Sequence, residues 1–340
     1  MIRRLLIYDG QWAAYADRFA ERLGGGWSVR AGADREWLNE EIAGADAIVA
    51  LSLPREVLGR AKQLKVFLFP GAGVLETDPA CNPAGCAVSN VYEHAAAVAE
   101  YVLAAMLIHA TGILRYAGSF RSGCWAGSGR LGGATHGEIS GRTVGIVGYG
   151  TIGQAIARRA RPFGLRVIAV CEDPSLPLPG DAVRPEFLGA PGDLPLLLAE
   201  SDFLALACPL TPQTRGLLGE RELARMKPSA VLINVARAEI ADERALFDAL
   251  RAGRIAGAAL DVWYRYPASA GERLHGSELP FHELPNVLAT PHLAGWTAEM
   301  VERRIRKMAE NLKRLERGEA LERVVLTGAW TGSRTNGAAP

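Results

Sequence analysis

From Arg142 onward the chain repeats one device that few folds can use: a short apolar run, a polar stretch, then another apolar run. TVGIVG, RVIAV, DFLALAC, AVLINVA, IAGAALDV and NVLAT follow one another in this way, with a helix, loop or turn between successive members. Short runs that are apolar throughout, rather than at every second position, mark strands covered on both faces. Such strands pair in parallel through crossover connections. The first part of the chain does the same: LLIY, AIVAL and KVFLF lie between Arg3 and Phe69, separated by helix-like stretches such as Gln11 to Arg22 and Asp34 to Ile42. A chain of 340 residues is long enough for two domains, each with its own core. The Gly-, Ser- and Arg-rich segment Phe120 to Gly141 reads as a crossing between them.

One turn in the second series is chemically specific. Gly148, Tyr149, Gly150, Thr151, Ile152 and Gly153 follow the strand Thr143 to Val147 and open a helix marked by Ile152, Ile156 and Ala160. The three glycines of such a GxGxxG turn give a tight bend, room for a pyrophosphate against bare backbone, and close packing of helix on strand. The first amides of the helix then face the phosphates, where the helix dipole favours negative charge. About 20 residues further on, an acidic side chain is expected on the ribose of NAD. Cys171 occupies that position, followed by Glu172, which can reach the ribose and would repel a 2′-phosphate, so NAD is favoured and NADP is not excluded. The expected fold class is α/β: two doubly wound parallel-sheet domains, Rossmann-like or flavodoxin-like, with an interdomain cleft.

Bulk properties exclude other readings. The 38 basic and 37 acidic residues nearly cancel, without a basic stripe for nucleic acid. Five cysteines at irregular spacing argue for reduced thiols and a cytoplasmic protein, and Cys81 and Cys86, the close pair, have no second pair to complete a metal site. MIRRLLIYDG has too short an apolar run for a signal peptide and reads as a first strand. Ala95 to Ile113 is alanine-rich, but Glu100 and His109 interrupt it, which predicts a buried helix rather than a membrane span. The helix expected over Thr297 to Arg317 carries Met300, Ile305, Met308 and Leu312 at roughly helical spacing and should pack on the first domain.

Four segments together resemble the D-isomer-specific 2-hydroxyacid dehydrogenases: GRTVGIVGYGTIG, CPLTPQTRGLLG, MKPSAVLINVARAEIADERAL and LPNVLATPHLAGWT. The similarity runs over about residues 1 to 320. It implies a substrate domain from residues 1–111 plus 297–325, an NAD(P)-binding domain from residues 112–296, and a mobile tail over 326–340. It also implies a homodimer and a small anionic substrate.

By that resemblance Arg237, after the strand AVLINVA, is the arginine that anchors a substrate carboxylate and polarises the neighbouring carbonyl; a guanidinium fork suits both tasks. Ala238 stands where the family has glycine. His292 in TPHLAG matches the acid/base, since an imidazole with a reference pKa of about 6.5 can deliver a proton as hydride arrives. The family's glutamate partner of that histidine, in a DVFxxEP pattern, is Tyr266 here. A phenol can orient an imidazole but cannot supply the charge that keeps it protonated. The resemblance further places Cys208, Pro209, Thr214, Ala236, Asp261 and Gly295 around the cofactor, with Asp261 on the nicotinamide carboxamide. Gly71, Ala72 and Gly73 supply backbone amides for the substrate carboxylate, and His94 lines the substrate pocket.

Two alternatives stay open. Formate dehydrogenases of the same fold carry a glutamine in a DVWxxQP context, which Trp263 echoes, and formate oxidation needs no proton transfer; they place an asparagine where this chain has His94. The C-terminal binding proteins resemble the family yet act as NAD(H)-responsive co-repressors.

Overall fold

A computed structural model describes residues 2–72, 83–269 and 271–328. The chain divides into two compact units, one ending at Glu93 and resuming at Ala298, the other running from His94 to Thr297.

The first unit is built on strands β1 (Arg3–Tyr8), β2 (Trp27–Gly32), β3 (Ala47–Ala50), β4 (Val66–Phe69) and β5 (Ala87–Asn90), completed by β13 (Val324–Thr327). Their order is β13-β5-β4-β3-β1-β2, all parallel except β13, which runs antiparallel to β5. Both faces are covered, as the apolar runs require. Leu5, Ile7, Val49 and Leu68 pack with Met300, Ile305, Met308 and Leu312 of the helix Ala298–Arg317. Leu6, Ile48, Phe67 and Val88 pack with Leu38, Ile42 and Val57 on the opposite face. The periodic apolar stripe of the long helix is thus buried against the first unit, as its spacing predicts.

The second unit holds seven strands: β6 (Thr143–Val147), β7 (Arg166–Val170), β8 (Phe187–Gly189), β9 (Phe203–Leu206), β10 (Val231–Asn234), β11 (Gly257–Leu260) and β12 (Val287–Ala289). The order β12-β11-β10-β9-β6-β7-β8 is parallel throughout. The chain winds outward from β6 to β8, then returns to β9 on the other side of β6. That reversal makes the carboxyl ends of β6 and β9 the topological switch point, the place where open α/β sheets bind ligands. The GxGxxG turn leaves β6 there.

Two expected boundaries fall elsewhere. The helix Ala95–Thr111, placed with the first domain from sequence, belongs to the second unit. Val98, Val102, Ala105 and Met106 form one core with Ile156, Ala157 and Ala160 of the helix after the glycine turn, and His109 Nε2 bonds the Ala258 carbonyl on β11 at 3.1 Å. Residues 326 and 327, expected in the tail, belong to β13. Leu326 and Thr327 pair with Val88 and Ala87, and the Gly328 amide donates to the Cys86 carbonyl. Residues 329–340 lie outside the described residues, as does Cys81.

Among the described residues no single helix is long and apolar enough to cross a membrane. Ile305, fully buried between sheet and helix, tests the packing of the first unit: Ile305→Ala should lower unfolding free energy by about 2–5 kcal/mol in a denaturant titration. A loss under about 1 kcal/mol would mean the helix does not seal that core.

Candidate active site

Gly148, at the end of β6, has φ +96°, and a Cβ there would lie 2.7 Å from the Cys208 backbone. Only glycine fits. A Cβ on Gly153 would meet the Gly148 carbonyl oxygen at 2.2 Å, so this glycine sets how closely the helix Thr151–Ala160 approaches the strand. Gly150 is different: its Cβ would meet nothing within 4 Å. It caps the helix without any side-chain acceptor. Gly148 thus makes the tight bend and Gly153 the close packing, while open space lies beside Gly150. The Tyr149 side chain is buried, and its hydroxyl donates to the Val183 carbonyl in a short contact. Tyr149 therefore lends the turn its backbone and uses its ring to hold the 183 segment.

Cys171 and Glu172 follow β7. Cys171 is partly buried, which raises its thiol pKa, and Glu172 is exposed. Asp173 beside it is committed to its own turn, accepting from the Ser175 hydroxyl and amide, which hold its carboxyl below the usual range. Cys208, Pro209 and Thr214 come together in one loop: Thr214 Oγ1 donates to the Pro209 carbonyl at 2.7 Å, and burial pushes the Cys208 thiol up to about 11.

Arg237 leaves β10 in extended conformation (φ −145°) and is exposed. Its carbonyl is held by Asn234 Nδ2 at 2.9 Å, while Asn234 Oδ1 takes the Ala236 amide at 3.1 Å. Asn234 is buried to 1% exposure and fixes the backbone on both sides of the Ala236–Arg237 peptide. Ala238 has no positive φ, so the glycine of the family pattern is not needed there.

The loop bearing His292 is pinned by Asp261, which is 1% exposed at the end of β11. Its Oδ1 accepts the Thr290 hydroxyl at 2.6 Å and the Leu293 amide at 2.8 Å; its Oδ2 accepts the Ala294 amide at 2.8 Å. Three donors on one carboxylate hold His292 at φ +55°. Tyr101 OH meets Thr290 Oγ1 at 2.7 Å, and Trp263 Nε1 donates to the Thr290 carbonyl at 2.8 Å. The Asp261 side chain, expected on a nicotinamide carboxamide, is here engaged in building the histidine loop.

Tyr266 OH stands 2.9 Å from His292 Nδ1 and accepts the Trp263 amide at 3.2 Å. The hydroxyl keeps a second lone pair, so it either accepts Nδ1–H, which leaves Nε2 free as a base, or donates to Nδ1, which puts the ring proton on Nε2. His292 is exposed as a residue, yet its ring is shielded enough that desolvation leads. Together with repulsion from Arg237, it lowers the imidazole pKa against the pull of Asp261. Desolvation raises the Tyr266 pKa, so the phenol stays neutral across the ordinary range.

Gly295 abuts His94, whose Cβ would lie 3.4 Å from a Cβ on that glycine. Gly71 and Ala72 belong to the first unit, where the Gly71 carbonyl accepts the Val91 amide and the Ala72 carbonyl accepts Asn90 Nδ2. Gly73 lies outside the described residues. Sequence reasoning missed Asn234, Thr290, Tyr101 and the backbone role of Trp263. Asn234 alone left a signal, a polar residue ending an apolar strand. Among the described residues no three His, Cys, Asp or Glu side chains gather as metal ligands.

The glycine geometry separates binding from folding. Gly150→Ala should leave stability within about 1 kcal/mol and weaken NADH binding, read by fluorescence titration, by about tenfold or more. Gly153→Ala should instead cost about 1–3 kcal/mol of stability through overpacking. Equal effects on both quantities from both variants would remove the distinction.

Residues 103–294 match the model of the D-isomer specific 2-hydroxyacid dehydrogenase NAD binding domain. The chain is 35% identical over 303 residues to D-3-phosphoglycerate dehydrogenase of Methanocaldococcus jannaschii, with 87% of this chain and 55% of that protein covered; it thus spans about half the length of that relative. It is 34% identical over 304 residues to glyoxylate reductase of Thermococcus gammatolerans, with 86% of each chain covered. The structure of an NADPH-dependent glyoxylate/hydroxypyruvate reductase from Sinorhizobium meliloti, in complex with NADP and sulfate, is similar with a TM-score of 0.74 at 25% identity. That match covers 95% of this chain and 98% of the other. With these likenesses beside a glycine turn, an arginine and a histidine on the loops of one parallel sheet, the chain belongs to the D-isomer-specific 2-hydroxyacid dehydrogenases and carries their NAD-binding domain.

Proposed function

We propose that the protein is an NAD(P)-dependent oxidoreductase that moves a hydride between nicotinamide and C2 of a small 2-hydroxy or 2-oxo acid. The observation that carries this reading is the Tyr266–His292 pair, 2.9 Å between hydroxyl and Nδ1, with the Arg237 charge acting on both rings. The nicotinamide cofactor, when bound, supplies or accepts the hydride. Arg237 holds the substrate carboxylate and stabilises charge on the carbonyl oxygen. Gly71 and Ala72 of the first unit offer backbone amides to a substrate carboxylate, and His94 of the second unit is a residue of the substrate pocket. His292 Nε2 exchanges a proton with the C2 oxygen, while Tyr266 fixes the plane of the ring. Glu172 would repel a 2′-phosphate, which favours NAD, although a relative's structure holds NADP. The cytoplasm suits the free thiols of Cys86, Cys124, Cys171 and Cys208. A homodimer accords with the exposed Ile113, Leu114, Phe120, Trp125 and Leu131.

A second reading is favoured by the same pair. A neutral phenol suits oxidation of a small anion such as formate, in which no proton moves.

The experiment is a panel of 2-oxoacids, glyoxylate and hydroxypyruvate included, with NADH or NADPH followed by absorbance, alongside formate with NAD. Turnover of a 2-oxoacid supports the first reading, and formate-dependent NADH formation alone selects the second.

The pH dependence follows from the lowered His292 pKa. Reduction consumes a proton and needs the imidazolium, so kcat/KM should fall as pH rises through a value below the reference of about 6.5. Oxidation needs the neutral ring and should hold its rate above that value. Tyr266→Glu, placing a carboxylate beside the imidazole, should move the reduction limb up by about 1 pH unit or more. An unmoved profile would mean that residue 266 does not govern the histidine during turnover.

A further inference from the structure

The first unit contains a cation placed behind the loop that the proposed function assigns to the substrate carboxylate. Arg304 lies on the sheet-facing side of the helix Ala298–Arg317 and is partly buried. Its Nη1 donates to the Pro70 carbonyl at 2.8 Å and its Nε to the Tyr92 carbonyl at 2.9 Å. One guanidinium thereby ties together two chain segments. The first, Pro70–Gly71–Ala72, leaves the end of β4. The second, Tyr92–Glu93, leaves the end of β5.

Further bonds fasten the same two segments. The Val91 amide donates to the Gly71 carbonyl at 3.0 Å, and Asn90 Nδ2 donates to the Ala72 carbonyl at 3.3 Å. Arg303, the neighbouring residue on the helix, bonds the Glu93 carbonyl through Nη2 at 3.0 Å, and Glu93 itself sits at φ +59°. All the carbonyls of Pro70, Gly71 and Ala72 therefore point to donors inside the unit. Burial lowers the Arg304 pKa to about 10 against the pull of Glu93, which leaves the group cationic near neutral pH. A lysine could reach one of the two carbonyls as a point charge, but only the planar fork spans both in fixed geometry.

From this arrangement we propose that Arg304 is a positioning residue for substrate: it fixes the Gly71–Ala72 backbone from behind and adds its positive charge to the field that draws a carboxylate there. The inference rests on the reading of that loop as a carboxylate site. It also accounts for a loop that needs no charged side chain of its own, because the charge is lent from the helix.

The test compares R304K and R304M with the unaltered enzyme in glyoxylate reduction. R304M should raise KM for glyoxylate by about tenfold or more while kcat falls less, with the Kd for NADH, set in the other unit, unchanged within about twofold. R304K, which keeps the charge and loses the fork, should fall between. A KM unchanged in R304M overturns the proposal, and so does a rise in KM matched by an equal rise in the Kd for NADH. Should R304M fail to fold, R304K alone decides: KM must rise with kcat nearly retained. Amide exchange at Val91, bonded to the Gly71 carbonyl, needs no turnover. It should quicken by about tenfold in R304M or R304K. Absence of turnover by the unaltered protein with every 2-oxoacid would refute the dehydrogenase reading. Unchanged Val91 exchange would refute the clamp.

Discussion

The site hangs on one buried carboxylate. Asp261 sits at 1% exposure, where a carboxylate costs several kcal/mol unless it is fully hydrogen-bonded. The Thr290 hydroxyl and the amides of Leu293 and Ala294 supply that bonding. In satisfying Asp261, they fold the loop that presents His292. The dependence runs both ways: without the loop the charge is orphaned, and without the charge three donors are. Trp263 extends the arrangement by giving its indole N–H to Thr290 and its backbone N–H to Tyr266. One residue thus orients both the histidine loop and the phenol that faces it.

The electrostatic character of the pair follows. A carboxylate at position 266 would hold the imidazole charged through Coulomb attraction. A phenol gives a hydrogen bond and no charge. Asp261 pulls the imidazole toward the charged form, but Arg237 and desolvation pull harder the other way. The resting imidazole is held toward its neutral form, which removes a proton through Nε2 when the ring proton sits on Nδ1 and is donated to the phenol.

Much of this was legible in sequence, and what was legible was periodic or steric. Runs such as TVGIVG and AVLINVA announced strands covered on both faces because burial leaves no room for alternation. Gly148 and Gly153 were legible because their positions tolerate nothing larger. The helix Ala95–Thr111 misled for a physical reason: it is apolar nearly all round, so its pattern names no face and no partner, and packing with Ile156 and Ala160 assigns it. Val324–Thr327 is too short and too near Gly-rich sequence to declare a strand. Its pairing with β5 is non-local. The braces at Asn234, Thr290 and Tyr101 were illegible because a hydrogen bond between distant residues leaves no periodicity.

His292 is one of three non-glycine residues at positive φ among the described residues. A left-handed backbone costs a side-chain-bearing residue roughly 1–2 kcal/mol, and the Asp261 bonds hold it there. Function and fold therefore compete at this position. Replacing the histidine by glycine would abolish its chemistry while releasing conformational strain, so the most heat-resistant form of this protein need not be the one that works.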